Sequence, residues 1–136
     1  MGQQQLLLII LGVIVVGIAV AVGITMFQDN AVSANRDAVT NDLVNLASRA
    51  QQFYRRPTAL GGGGNSFVGL TADAAGRAKL TSKASNANGA YVISAAGTLT
   101  TVAIQGTGIE KGNNGTGVID MTMNVLSDSS YITITN

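Results

Sequence analysis

The sequence predicts an α+β fold in which one long N-terminal α-helix packs on a C-terminal antiparallel β-sheet. Three observations predict it. Residues 6–27 form an apolar run, an apolar stripe at helical spacing carries on to Phe53, and Val-, Ile- and Thr-rich segments alternate in polarity after residue 90. The chain therefore divides into a hydrophobic helical segment (1–28), its amphipathic continuation (29–56), a Gly-rich connecting region (57–89) and a sheet (90–136).

The helix begins in a stretch without charge. Asp29 is the first charged residue, and Leu6–Phe27 reads LLLIILGVIVVGIAVAVGITMF, with Thr25 as its polar interruption. About 22 helical residues span about 33 Å, close to the thickness of a hydrocarbon core. Apolar on every side, the segment has no polar face to turn toward water, so it belongs in lipid or among its own copies. It exceeds the apolar core of roughly 7 to 15 residues found in a cleaved secretory signal. A signal anchor carries Lys or Arg on its cytoplasmic flank, whereas the flank here is Met1-Gly2-Gln3-Gln4-Gln5. Either a basic leader has been removed or orientation is set by other means. Gly12, Gly17 and Gly23 each cost a helix about 1 kcal/mol relative to Ala. They read as close-packing positions between helices or, for Gly17 to Gly23, as a weak point where the helix extends on leaving the bilayer.

The patterning then changes without a helix break. Val32, Val39, Leu46 and Phe53 recur every seven residues, with Leu43 and Ala50 on the intermediate turn. Asp29, Arg36, Asp37, Asp42, Arg49 and Arg55 fall largely off this stripe. Pro57 stops the helix, and Arg56 before it is pushed out of the α region. A helix from about Gln3 to about Tyr54 is expected, on the order of 75 to 80 Å long.

Beyond Pro57, the four consecutive glycines within Leu60–Phe67 predict a flexible or irregular loop. They do not make a phosphate cradle: the Walker pattern ends in Lys followed by Ser or Thr, and the dinucleotide pattern follows a strand. Arg77, Lys79 and Lys83, with Asp73 beside them, read as a solvated surface. Strands are expected over 91–94, 98–106, 117–126 and 130–135, with turns at Ala96-Gly97 and over Glu110–Gly115. Ile119, Met121, Met123 and Val125 alternate with Asp120, Thr122 and Asn124, while Ile132 and Ile134 alternate with Tyr131, Thr133 and Thr135. Such alternation describes a sheet with one covered and one wet face. The expected cover is the stripe of residues 32–53. Asn114-Gly115-Thr116 fits a glycosylation sequon, although an Asn-Gly turn accounts for the same residues.

Composition removes most site chemistry. The 136 residues contain no His, Cys or Trp, which excludes the usual zinc sites, Ser-His-Asp and Cys-His nucleophiles, and thiol redox centres. A formal net charge of +1 gives no footprint for nucleic acid. Asp120 and Asp128 stand alone in the sequence, and no nucleophile with a base is identifiable. Neither an enzyme nor a cofactor or metal is expected. Phe27, Phe53, Tyr54, Phe67, Tyr91 and Tyr131 are too few to support electron conduction.

This layout resembles that of a type IV pilin or pseudopilin. The likeness is architectural over the whole chain and closest over about residues 1–56, where GVIVVGIAVAVGITMFQDNAVSANRDAVTNDLVNLASRAQQFY is similar in cadence to the family's first helix. The resemblance implies a precursor held in the inner membrane and cut after a Gly by a prepilin peptidase, with Gly2 the candidate processing site. It further implies that the pilus assembly machinery builds an extracellular homopolymer with the first helices bundled in its core. Two positions depart from the family. Where the family carries Glu five residues into the mature chain, to neutralise a neighbour's N-terminal amine, this sequence has Gln5 counting from Met1, or Leu7 if cleavage follows Gly2. Gln5 can hydrogen-bond but cannot form the ion pair. Near residue 22, where the family commonly has Pro, this chain has Gly23. Without Cys the family's C-terminal disulfide loop is excluded.

A physical case for a polymer stands beside the likeness. At roughly 25 cal/mol per Å² of apolar surface, burying such a helix stabilises by tens of kcal/mol, and parallel copies bury it as lipid does. The candidate assembly residues are Gln5, Gly17 and Gly23 in the bundle, and Asp29, Arg36, Asp37, Asp42 and Arg49 where the bundle meets the globular layer. Besides a filament subunit, three readings stay open: a minor pilin or pseudopilin of a secretion machine, a monomeric membrane-anchored surface protein, and an archaellin-like subunit. The helical pattern reaching Tyr54 argues against the last.

Overall fold

The computed structural model describes residues 2–112 and 114–136. Met1, counted with the N-terminal segment, and Asn113, counted with the turn over 110–115, lie outside the described residues. One helix, α1, runs from Gly2 to Arg55 over 54 residues. A 3-10 turn over Thr58–Leu60 and a short helix, α2 (Ala74–Ala78), follow it. Four strands complete the chain: β1 (Gly89–Ala95), β2 (Thr101–Lys111), β3 (Val118–Leu126) and β4 (Ser130–Ile134). They form one antiparallel sheet in the order β1-β2-β3-β4. The expected α+β architecture is the observed one.

The C-terminus of α1 is closed by the glycine run. Pro57 lacks the N–H that would continue the ladder, and the last carbonyls need other donors. Gly63 N donates to Phe53 O at 2.8 Å, Asn65 N to Tyr54 O at 2.7 Å, and Gly64 N to Arg56 O at 2.9 Å. The chain can double back so tightly because Gly61, Gly64 and Asn65 adopt φ of 75°, 59° and 62°. This loop is irregular, as expected, but it is pinned to the helix. Its amides are spent on nearby carbonyls: Gly63 and Asn65 on α1, Gly61 and Gly62 on Thr58 and Pro57, and Gly64 on Arg56.

Beyond Val32, α1 lies across the sheet. Asn35, Val39, Leu43, Leu46, Ala47, Ala50 and Phe53 are buried along its covered side. They meet Val102 and Ile104 of β2 and Ile119, Met121, Met123 and Val125 of β3, with Tyr91 and Ile93 from β1. The register sets Ile104 opposite both Ile93 and Met123, so three strands present apolar groups in one row. Each large side chain buried in this way stabilises by about 1.5 to 3 kcal/mol. Gly106 lets α1 come close: a Cβ there would stand 2.9 Å from Val39 Cγ1 and 3.2 Å from both Leu43 methyls.

Two strand expectations shift. β2 starts at Thr101 rather than 98, because Thr98 closes the turn by donating its N–H to Thr101 O at 2.8 Å. It also runs on to Lys111, through a register irregularity between Thr107 and Lys111. In β4 the alternation is weaker than the sequence suggests: Ile132 packs against the core, whereas Ile134 is exposed. β4 is an edge strand outside β3, and Ile134 stays exposed although its partner Met121 is fully buried.

Candidate assembly surface

Among the described residues, nothing covers the apolar first half of α1. Its apolar window is wholly unburied, and it is long and apolar enough to cross a membrane. The large side chains from Leu6 to Phe27 range from 51% exposed at Val22 to 79% at Phe27. Thr25 Oγ1 donates to Val22 O at 2.8 Å, so the polar group in the run is satisfied within the helix. Gln5 is exposed. Gly2, Gly12, Gly17 and Gly23 have open space where a Cβ would stand, so nothing inside the chain requires glycine there.

Asp29 and Arg36 sit where α1 meets the sheet. Together with Val32, Glu110, Lys111 and Gly112 they line a cavity of about 530 Å³ between the helix and the β2–β3 turn. The Arg36 Nε is buried without a hydrogen-bond partner among the described residues. Asp37 is exposed on the side of α1 away from the sheet.

Asp42 serves inside the chain. Its Oδ2 accepts from Tyr91 OH at 2.6 Å, Asn86 Nδ2 at 2.8 Å and Asn88 Nδ2 at 2.9 Å. Burial pushes this carboxyl upward, but the bonds from Asn88, Tyr91 and Asn86 outweigh burial and hold it below the usual aspartate value. Burial, and then the Asp42 carboxylate, push the Tyr91 phenol well above its ordinary value, so it stays a donor. Asn35 makes a second stitch. Its Nδ2 donates to Asn88 O at 2.8 Å, while its Oδ1 accepts from Ile109 N at 3.1 Å and Glu110 N at 3.3 Å. Asn35, Asn86, Asn88 and Tyr91 thus anchor the helix to β1 and β2. The sequence signal for Asn35 was a polar residue three positions after Val32 on the covered side.

Arg49 also has an intrachain partner, its Nη1 donating to Leu80 O at 2.9 Å. It lines a cavity of about 350 Å³ with Gln52, Phe53, Arg56, Gly61, Lys79 and Leu80. Lys79 Nζ donates to Gly69 O at 2.6 Å and stands 5.7 Å over the Phe53 ring centroid. Folding therefore draws Arg49 on the helix and Arg56 just past its end together with Lys79 of the connecting region, a grouping hidden in the linear chain. Asp42, Asn86 and Tyr91 line another cavity, of about 330 Å³, and are bonded to one another there. The eight candidates do not converge on one site: they mark three levels along α1. No protein-family model matches the chain, and no curated protein or solved structure matches it.

Proposed function

We propose that this chain is the structural subunit of an extracellular type IV pilus-like filament, held together by bundling of its N-terminal helices. One observation carries the reading: the same helix is bare and charge-free through Gln28, then clad by a sheet. A lipid anchor alone asks only for apolar length. The glycines at 12, 17 and 23, which nothing within the chain requires, fit close approach of like helices. Gln5, uncharged, suits a dry core in which an unpaired carboxylate would be costly. On this reading the precursor waits in the inner membrane, is cut by a prepilin peptidase at Gly2, and is then drawn into the filament by the pilus assembly machinery.

Electron microscopy of material sheared from the producing cells, with mass spectrometry of its N-terminal peptide, tests this. Filaments composed mainly of this chain are expected. A chain found only as a trace component of fibres would point instead to a minor pilin or pseudopilin. A detergent-dependent monomer with no fibre would point to a membrane-anchored surface protein.

A further inference from the structure

At the level of Arg49 to Arg56, one side of α1 bears a cluster of cations, and the other bears Gln51, with the exposed Arg55 one turn beyond it, beside a turn that carries a carboxylate. On one side Arg49, Arg56 and Lys79 surround the cavity of about 350 Å³ over Phe53, and no carboxylate lines it. Arg49 and Lys79 donate to neutral carbonyls, at 2.9 Å to Leu80 O and 2.6 Å to Gly69 O, while Asp73 lies within electrostatic reach of Lys79 and Arg49 also borders the cavity that holds Asp42. On the other side Gln51 Nε2 grips the β3–β4 turn, donating to Leu126 O at 3.2 Å and Ser129 O at 3.3 Å. That turn exposes Asp128, whose Oδ1 accepts only from the Ser129 hydroxyl at 3.3 Å among the described residues. Arg49 and Gln51 are two positions apart, which is about 200° around the helix and about 3 Å along it. The cationic cavity and the anionic turn therefore lie on opposite sides at one height.

We propose that the turn bearing Asp128 docks in the Arg49–Arg56–Lys79 cavity of the adjacent copy of this chain. This contact rests on the filament reading above and names its globular-layer interface. The occupant follows from three features. Parallel helices whose apolar segments bury one another are offset by much less than their length of roughly 33 Å, so neighbours meet at similar heights. At that height each copy offers cations on one side and a carboxylate on the other. A contact between two different patches is heterologous: it links copies head to tail rather than in a two-fold dimer, and gives an open helical assembly where the rotation between copies does not close a ring.

The chain has no cysteine, so engineered pairs report cleanly. Filaments of the full chain carrying Arg56→Cys with Asp128→Cys, oxidised and run on a non-reducing gel, are expected to give a ladder of multimers. Each single variant is expected to stop at dimer. A second measurement covers any loss of assembly by the cysteines. Asp128→Arg alone is expected to raise the concentration needed for assembly about threefold, the scale of one exposed ion pair, and adding Arg56→Asp is expected to restore it. Well-formed double-cysteine filaments that run as monomer, or a charge swap no better than its single parent, overturn the docking and leave the filament reading intact. Absence of filaments from the unaltered chain overturns both.

Discussion

The two halves of α1 share one backbone and follow opposite side-chain rules. Over residues 6–27 every side of the helix is apolar, and no part of the chain covers it. Over residues 32–53 one side is apolar, and the sheet covers that side down to 0% exposure at Val39, Leu43 and Ala50. A helix with a stripe tells the chain where to place its own sheet. A helix without one offers no preferred direction, so its partner has to surround it. Lipid and a ring of like helices both do so, and this is why the first half speaks to environment and the second to fold.

The contrast is broken most severely by a charge in the bare half. Val16→Asp places a carboxylate at the middle of the apolar run, at a cost of about 2.5 to 3.5 kcal/mol per helix on insertion scales. Filaments should vanish from sheared material. A chain beginning at Asp29 lacks this segment altogether and should fold cooperatively, as followed by thermal unfolding. Filaments of normal yield from Val16→Asp would mean that the bare half is not a packed core.

Next in size is a change in the clad half. Leu43 is fully buried against Gly106. Leu43→Ala should destabilise the portion from Asp29 onward by about 2 to 5 kcal/mol, through lost transfer energy and the cavity left behind. Denaturant unfolding measures it. In the full chain held in detergent, the equivalent change in the bare half, Leu11→Ala, should leave the unfolding transition of the portion from Asp29 onward where it is.

These two halves were legible for different reasons. The apolar run needs no tertiary knowledge, because 22 residues without a polar face exclude a water-exposed helix. The stripe and the alternation in β3 were legible because burial imposes periods of 3.6 and 2 on sequence. β4 was over-read: Ile134 keeps the alternation but lies on the edge strand and stays exposed. The polar contacts were not legible. In the sequence Asp42 reads as a candidate for contacts between copies, yet it has partners within the chain, Asn86, Asn88 and Tyr91, more than forty residues away. The cavity of Arg49, Arg56 and Lys79 escaped for the same reason, since only the fold-back of the glycine loop brings Lys79 to the helix.

Asp42 gives a smaller and pH-dependent effect. Its folded pKa lies below the ordinary 3.8. The unfolded chain therefore binds its proton first, and Asp42 contributes its full stability above about pH 4 and loses it as acid reaches the folded value. Asp42→Asn should cost about 1 to 2 kcal/mol at neutral pH, by weakening charge-assisted bonds on a partly exposed group. The gap between variant and parent should close as the pH falls below about 4. The Tyr91 phenol works from the other end: its raised pKa means that stability is present below pH 10 and declines above it. A pH-independent gap for Asp42→Asn would show that the carboxylate contributes shape rather than charge.

The smallest effect separates lipid from like helices in the bare half. Gly17 has room for a Cβ within its own chain. Gly17→Ala should therefore stabilise α1 in detergent micelles by about 1 kcal/mol, the ordinary difference in helix propensity. If neighbouring helices approach closely at this position, the same methyl group opposes assembly, and filament yield should fall even as the isolated helix gains. Circular dichroism of the micellar protein and yield of sheared filaments would then move in opposite directions. A lone anchor in lipid meets no neighbour, so in that case the helix would gain and nothing would be lost. The sign of the yield change, more than its size, assigns the glycine to a contact between copies or to mere tolerance of the bilayer.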